Sequence, residues 1–116
     1  MKKAYAVATC STCQRIVQEA GLLRKGYTYQ NIKEEKITPE QLDEMKSMAG
    51  SYEALFSRRA LKFKAWGLAG KTLTEKDYRN LILEEYTFLK RPVVISGKKI
   101  FSGSAPKTVA ELVKLK

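Results

Sequence analysis

Cys10 and Cys13 stand three apart in "ATCSTCQ" and are the only two cysteines of a chain that has no histidine. Four chemistries are open to such a pair: part of a zinc site, a structural disulfide, inert packing, or a thiol–disulfide redox couple. Zinc takes about four ligands, mostly Cys and His, so a site here would need borrowed carboxylates or a second subunit. Inert packing stays open, because buried cysteine behaves as a small apolar residue. The redox reading depends on where the two residues lie.

The segment before them, "KKAYAVAT", is short and β-tolerant, and reads as a first strand. From Ser11 the pattern changes. Ile16, Val17, Ala20 and Leu23 recur at helical spacing, with Gly26 as the stop. Cys10 therefore falls in a strand-to-helix turn and Cys13 in the first helical turn. Unpaired N–H groups and partial positive charge at that terminus stabilise a thiolate. A free cysteine titrates near ~8.5, and bringing it to ~7 takes about 2 kcal/mol. That is the upper end of what a helix terminus supplies alone. An added cation would complete the shift, and Arg59 and Arg91 are candidates. Cys10, the more exposed, is expected to be the nucleophile. Cys13, one turn in, is placed to resolve a mixed disulfide.

The elements that must hold this pair follow in order. "YTYQNI" alternates and reads as a second strand. In "TPEQL", Thr38 caps, Pro39 suits the first helical position and Gln41 completes a capping box, with Leu42, Met45 and Met48 on one face and Gly50 as the end. "SYEALFSRRALKFKAWGLAG" offers Leu55, Phe56, Phe63 and Trp66 as core anchors, in two short helical pieces around Arg58 and Arg59. Thr74 and Asp77 repeat the capping signal, ahead of a buried face of Tyr78, Leu81, Ile82 and Leu89. "RPVVISGKKIFSG" reads as a hairpin with "SGKK" as its turn. Ser104 is expected to cap a last helix that buries Val109, Leu112 and Val113.

The order is β-α-β, a helical middle, β-β, α. That is an α/β, thioredoxin-like (glutaredoxin-like) layout: a mixed sheet with an inserted helical segment. A single domain over 1–116 is expected, with the core at about 1–35 and 86–116 and the insertion at about 36–85. The first crossover should join parallel strands with right-handed sense. A Cys-x-x-Cys entering the first helix of such a unit is a redox signal. Proline is tolerated at the first position of a strand, and in this layout Pro92 predicts a cis Arg91–Pro92 bond facing the cysteines.

Composition is consistent with this. At 116 residues, 44% hydrophobic and 29% charged, the chain suits one soluble globular domain. No apolar run approaches the ~20 residues of a membrane span. The basic start is followed by too few apolar residues for a secretory signal, so the cytoplasm is expected, where thiols are kept reduced. The net charge of +10 is uneven. Residues 54–74 hold five basic side chains and no acid. Such a field either serves solubility or favours an oxyanion, an acidic protein surface or nucleic acid. Direct nucleic-acid binding is not expected, because no helix-turn-helix or zinc module is present.

Three stretches, "ATCSTCQR", "LFSRRALKFKAWGL" and "LKRPVVISGKKIFSG", together resemble the ArsC/Spx family over essentially the whole chain. These are thioredoxin-fold proteins that include glutaredoxin-dependent arsenate reductases and the Spx regulators of RNA polymerase. The arsenate reductase pattern implies a nucleophile at Cys10 and three arginines around an oxyanion. Arg91 matches one; the second falls on Ser57, beside Arg58 and Arg59; the third falls near Gly103. The activating histidine of that pattern is absent. The Spx pattern matches at Cys10 and Cys13, Arg59 and Gly103, and loosely at Gly50.

The resemblance implies a thiol–disulfide oxidoreductase. Cys10, Cys13, Arg59 and Arg91 would be catalytic, and Ser11, Thr12, Arg58 and Pro92 would line the substrate or anion position. Glutathione, glutaredoxin or thioredoxin would be the reductant, with no bound cofactor or metal. Its substrate would be a small thiol or oxyanion, or its partner a redoxin. The alternative it implies is an Spx-like redox-sensing regulator that binds the RNA polymerase α-subunit.

Overall fold

The computed structural model describes residues 2–115. The elements are β1 (Lys2–Ala6), α1 (Ser11–Glu19), β2 (Thr28–Asn31), α2 (Pro39–Ala49), α3 (Leu61–Ala65), α4 (Glu75–Glu84), β3 (Val93–Ser96), β4 (Lys99–Ser102) and α5 (Pro106–Val113). Their order is the one read from the sequence, and the fold is α/β and thioredoxin-like. The chain divides into two compact units: residues 1–35 with 91–116, which carry the sheet, and residues 36–90, which are helical.

In the sheet unit the strand order is β2-β1-β3-β4. β1 and β2 are parallel, as a crossover helix requires, and the β1–β3 and β3–β4 pairs are antiparallel. Register places Tyr29, Ala4, Val94 and Phe101 in one row across the sheet. That row packs against Ile16 and Val17 of α1, Ala20 at its C-cap, and Val109 and Leu112 of α5. Ile16 and Leu112 are fully buried, each contributing roughly 1.5–3 kcal/mol by leaving water.

α1 ends at Glu19, short of the expected stop at Gly26. Gly21 takes φ +62, a left-handed conformation that breaks the helical register. As a result Leu22 turns inward and is fully buried, whereas Leu23, expected in the core, is 63% exposed. Ser104 does not cap α5. Pro106 occupies the first helical position, which moves the cap to Ala105, a residue with no side-chain acceptor. Val113 on α5 is exposed rather than buried.

In the helical unit both predicted capping boxes form, Thr38 with Gln41 and Thr74 with Asp77. α2 ends at Gly50, at φ 96. Phe56 centres the aromatic core, with ring centroids 4.9 Å from Tyr78, 5.1 Å from Phe88 and 6.0 Å from Phe63. Trp66 is only an edge of this core: it packs on Phe88 at 5.4 Å but stays 39% exposed, because α3 ends one residue before it. Leu89 is buried beyond the end of α4, through a bridge to Phe56.

Candidate active site

The loop from β1 to α1 is built by main-chain bonds. The Cys10 N–H donates to the Val7 carbonyl at 3.0 Å, closing a tight turn. The Ala8 N–H donates to Asn31 Oδ1 at 3.3 Å, which ties the turn to the end of β2. Cys10 is then the N-cap of α1, in extended conformation, and its carbonyl accepts the Gln14 N–H at 3.0 Å. Its sulfur makes no capping hydrogen bond of ideal geometry. It does lie close enough to the Cys13 and Thr12 amides for their N–H groups to favour negative charge. No acidic side chain occupies the first turn of α1 to oppose this.

The two thiols sit in different environments. Cys10 is half-buried, and Cys13 is fully buried. Partial burial alone would push the Cys10 thiol up. The Cys13 amide and thiol, the Arg91 charge and the Thr12 amide outweigh it and leave Cys10 below the ordinary thiol range. Burial pushes Cys13 the other way, to about 11, against the Val7 backbone; the Cys10 hydrogen bond and charge add to the rise, and Arg91 opposes it. Cys10 is therefore the first of the two to ionise, and Cys13 is the one that keeps its proton. Both cysteines are free.

Arg91 and Pro92 precede β3 and share the sheet unit with the cysteines. The Arg91–Pro92 bond is cis, as expected from its position. The Pro92 carbonyl accepts the N–H of Gly103, which stands at φ +91. Ser11 and Thr12 form the exposed first turn of α1. Arg58 and Arg59 belong to the helical unit, in the exposed turn before α3. There the Arg58 guanidinium is engaged by Glu53 at 3.0 Å and by the Tyr78 hydroxyl at 2.7 Å. Among the described residues, no three His, Cys, Asp or Glu side chains gather as a metal centre would require.

Two residues near the pair were not singled out from the sequence. Tyr29, on β2, has its phenol pushed up by burial and then by the charges of Cys13 and Cys10, so it stays protonated. Asn31 anchors the cysteine loop. Alternation in "YTYQNI" places both on one face, but only the pairing of Ala4 with Tyr29 shows that this face lies under α1.

The ArsC family model matches residues 5–112. No curated protein matches the sequence. Among solved structures, the chain resembles a Bacteroides fragilis protein related to the ArsC family, at 24% identity and a TM-score of 0.79, over 96% of this chain and 97% of that one. An arsenate reductase from Vibrio cholerae aligns at 16% identity and a TM-score of 0.77, over 96% and 98%. An arsenate reductase (ArsC) related protein from Brucella melitensis aligns at 22% identity and 0.71, over 98% and 95%. No helix of the described residues is long and apolar enough to cross a membrane.

Proposed function

The chain belongs to the ArsC family, and we propose that it is a thiol–disulfide oxidoreductase with Cys10 as nucleophile and Cys13 as resolving thiol. The observation that carries this reading is the inequality of the pair: a half-exposed Cys10 favoured as thiolate beside a buried Cys13 held as thiol.

The chemistry follows from that inequality. The Cys10 thiolate attacks a substrate disulfide; one S–S bond forms to Cys10 as the substrate's own S–S bond breaks, and the departing thiolate takes the electron pair. Cys10 then carries no charge. Its hydrogen bond and its charge, two of the influences that keep the proton on Cys13, are lost, and the attraction of Arg91 remains. Cys13 deprotonates and attacks the Cys10 sulfur. The substrate leaves as a reduced thiolate, and Cys10 and Cys13 are left as a disulfide. Two electrons from glutathione, glutaredoxin or thioredoxin restore the dithiol. Ser11, Thr12 and Pro92 line the reacting sulfur in this proposal, and Arg91 is its cation.

Arsenate is a weaker substrate in this reading, because Ser57 and Gly103 stand where the arsenate reductase pattern has arginines. The test is alkylation of Cys10 across pH with disulfide mapping after mild oxidant. The expected midpoint lies below the ~8.5 of a free thiol, with a Cys10–Cys13 disulfide formed. A midpoint at or above that value, with no disulfide, overturns the proposal.

A second reading is redox-controlled binding to the RNA polymerase α-subunit. It is favoured by the exposure of Arg59, Lys64 and Lys71 in a stretch without acids, where Arg58 and Lys62 are also exposed but are paired with Glu53 and Glu85. Capture of the α-subunit's C-terminal domain that changes with reductant supports it; no capture in either state sinks it.

A further inference from the structure

Cys10, Gln14 and Gln18 are spaced four apart along α1 and form one ridge of the helix. Beside that ridge lies an open cavity of about 570 Å³, whose helical wall is Gln14, Val17 and Gln18. Tyr29 of β2 is the facing wall, and Leu23 and Arg24 close the far end. β2 is the edge strand of the sheet. Cys10 lies one helical turn beyond the lining residue Gln14, whose main-chain N–H donates to the Cys10 carbonyl, and the lining residue Tyr29 lies within electrostatic reach of both sulfurs. At the far end of the cavity, Arg24 is the one charged lining residue. Its guanidinium lies across Gly21, where an added Cβ would come within 2.7 Å of Nη2.

We propose that this groove seats an extended polypeptide segment of a protein substrate, carrying an apolar side chain and a carboxylate three or four residues from the cysteine that reacts with Cys10. The proposal rests on the exchange chemistry above and names its substrate class. The length fits: Cys10 to Gln18 spans about 12 Å at ~1.5 Å of helical rise per residue, which is about four residues of extended chain at ~3.3 Å each. The chemistry fits as well. The 63% exposed Leu23 offers apolar surface, and the outer edge of the core residue Val17 forms part of the floor. The amides of Gln14 and Gln18 both donate and accept, as a peptide main chain requires. Arg24 complements a carboxylate and repels a cation. The volume lies within the ~300–1,000 Å³ of ordinary ligand pockets.

The test uses the full chain carrying Cys13→Ser, with Cys13→Ala as the second variant if serine is not tolerated in the buried position. Probes are short peptides with one cysteine activated as its mixed disulfide with 5-thio-2-nitrobenzoate. A leucine lies between, and either Glu or Lys stands four residues away, in both chain directions. Cys10 attacks the peptide sulfur, the peptide–nitrobenzoate S–S bond breaks, and the coloured thiolate leaves with the electron pair. In one chain direction, the Glu peptide is expected to react about twofold to fivefold faster than the Lys peptide, within the range of an exposed ion pair. Arg24→Glu is expected to invert that order. Lys98→Glu, an equal change of net charge in the β3–β4 turn, is expected to keep it. Hydroxyethyl disulfide serves as a probe too small to fill the groove. If it reacts with Cys10 while the peptides show equal rates, or a ratio that Arg24→Glu leaves unchanged, the groove proposal fails and the exchange chemistry stands. If Cys10 reacts with no disulfide at all, both fail.

Discussion

The two units hold their charge differently. Residues 36–90 contain ten basic and eight acidic side chains; residues 1–35 with 91–116 contain twelve and four. Among the described residues, the helical unit joins its charges in three salt bridges, Arg58–Glu53, Lys62–Glu85 and Arg79–Asp43. Asp43 of α2 takes both Arg79 of α4 and the Tyr52 hydroxyl, and the Glu75 carboxylate accepts the N–H groups of Tyr52 and Glu53. The sheet unit shows the exposed Arg15–Glu19 pair, and two of its lysines, Lys2 and Lys25, donate to main-chain carbonyls. It is held by strand pairing and an apolar core, so its excess of positive charge is not drawn into ion pairs of the kind that tie the helical unit. Ion pairs organise structure in one unit, and in the other the excess charge is available for chemistry.

The sharpest way to break this comparison is Cys10→Ser. It should abolish exchange with a small disulfide, on the order of 10⁴-fold or more, while the melting curve changes little, since the residue is a half-buried N-cap, a position that accepts serine. Next in size is the aromatic core. Phe88→Ala in the helical unit should cost about 3–5 kcal/mol and Leu112→Ala in the sheet unit about 2–5 kcal/mol, both read by denaturant unfolding. Both side chains are fully buried.

Acid should separate the units further. Arg79 and Tyr52 hold the Asp43 carboxyl down at about 2. Glu85 is also held low, although burial pushes it up, because Lys62 at 2.6 Å and Thr87 bond to it. A carboxyl lowered by folding stabilises the fold above its unfolded pKa of ~3.9–4.3 and loses that contribution as pH falls through its folded value. Amides of α2 and α4 should therefore lose hydrogen-exchange protection between about pH 4 and 2 before those of β1 and β3. Equal loss in both units would remove the distinction. The smallest effect is expected from Arg91→Gln: loss of its charge moves the Cys10 alkylation midpoint upward and slows reaction at neutral pH several-fold.

Much of this was legible because the signals are local. Thr38 with Gln41 and Thr74 with Asp77 form capping boxes within three residues, and both appear as read. Cys10 at the strand-to-helix turn, and Pro92 at the start of a strand, follow from their immediate neighbours. The failures were also local in origin. Gly21 shifts the helix end and swaps Leu22 for Leu23 in the core, and a periodic pattern cannot register a single left-handed residue. Pro106 displaces the cap from Ser104 in the same way.

By itself, then, the sequence determined the order of elements, their capped ends and the placement of two cysteines at a helix N-terminus, because each depends on contacts a few residues long. Only the tertiary structure decided which groups surround the sulfurs. Arg91 lies some eighty residues along the chain from Cys10, and Tyr29 reaches the site through pairing of β2 with β1; in the helical unit, Arg58 is likewise drawn to Tyr78 twenty residues away. Such neighbours are set by how the strands pair and the cores close, and hydrophobic periodicity records which side of an element is buried but not what it is buried against.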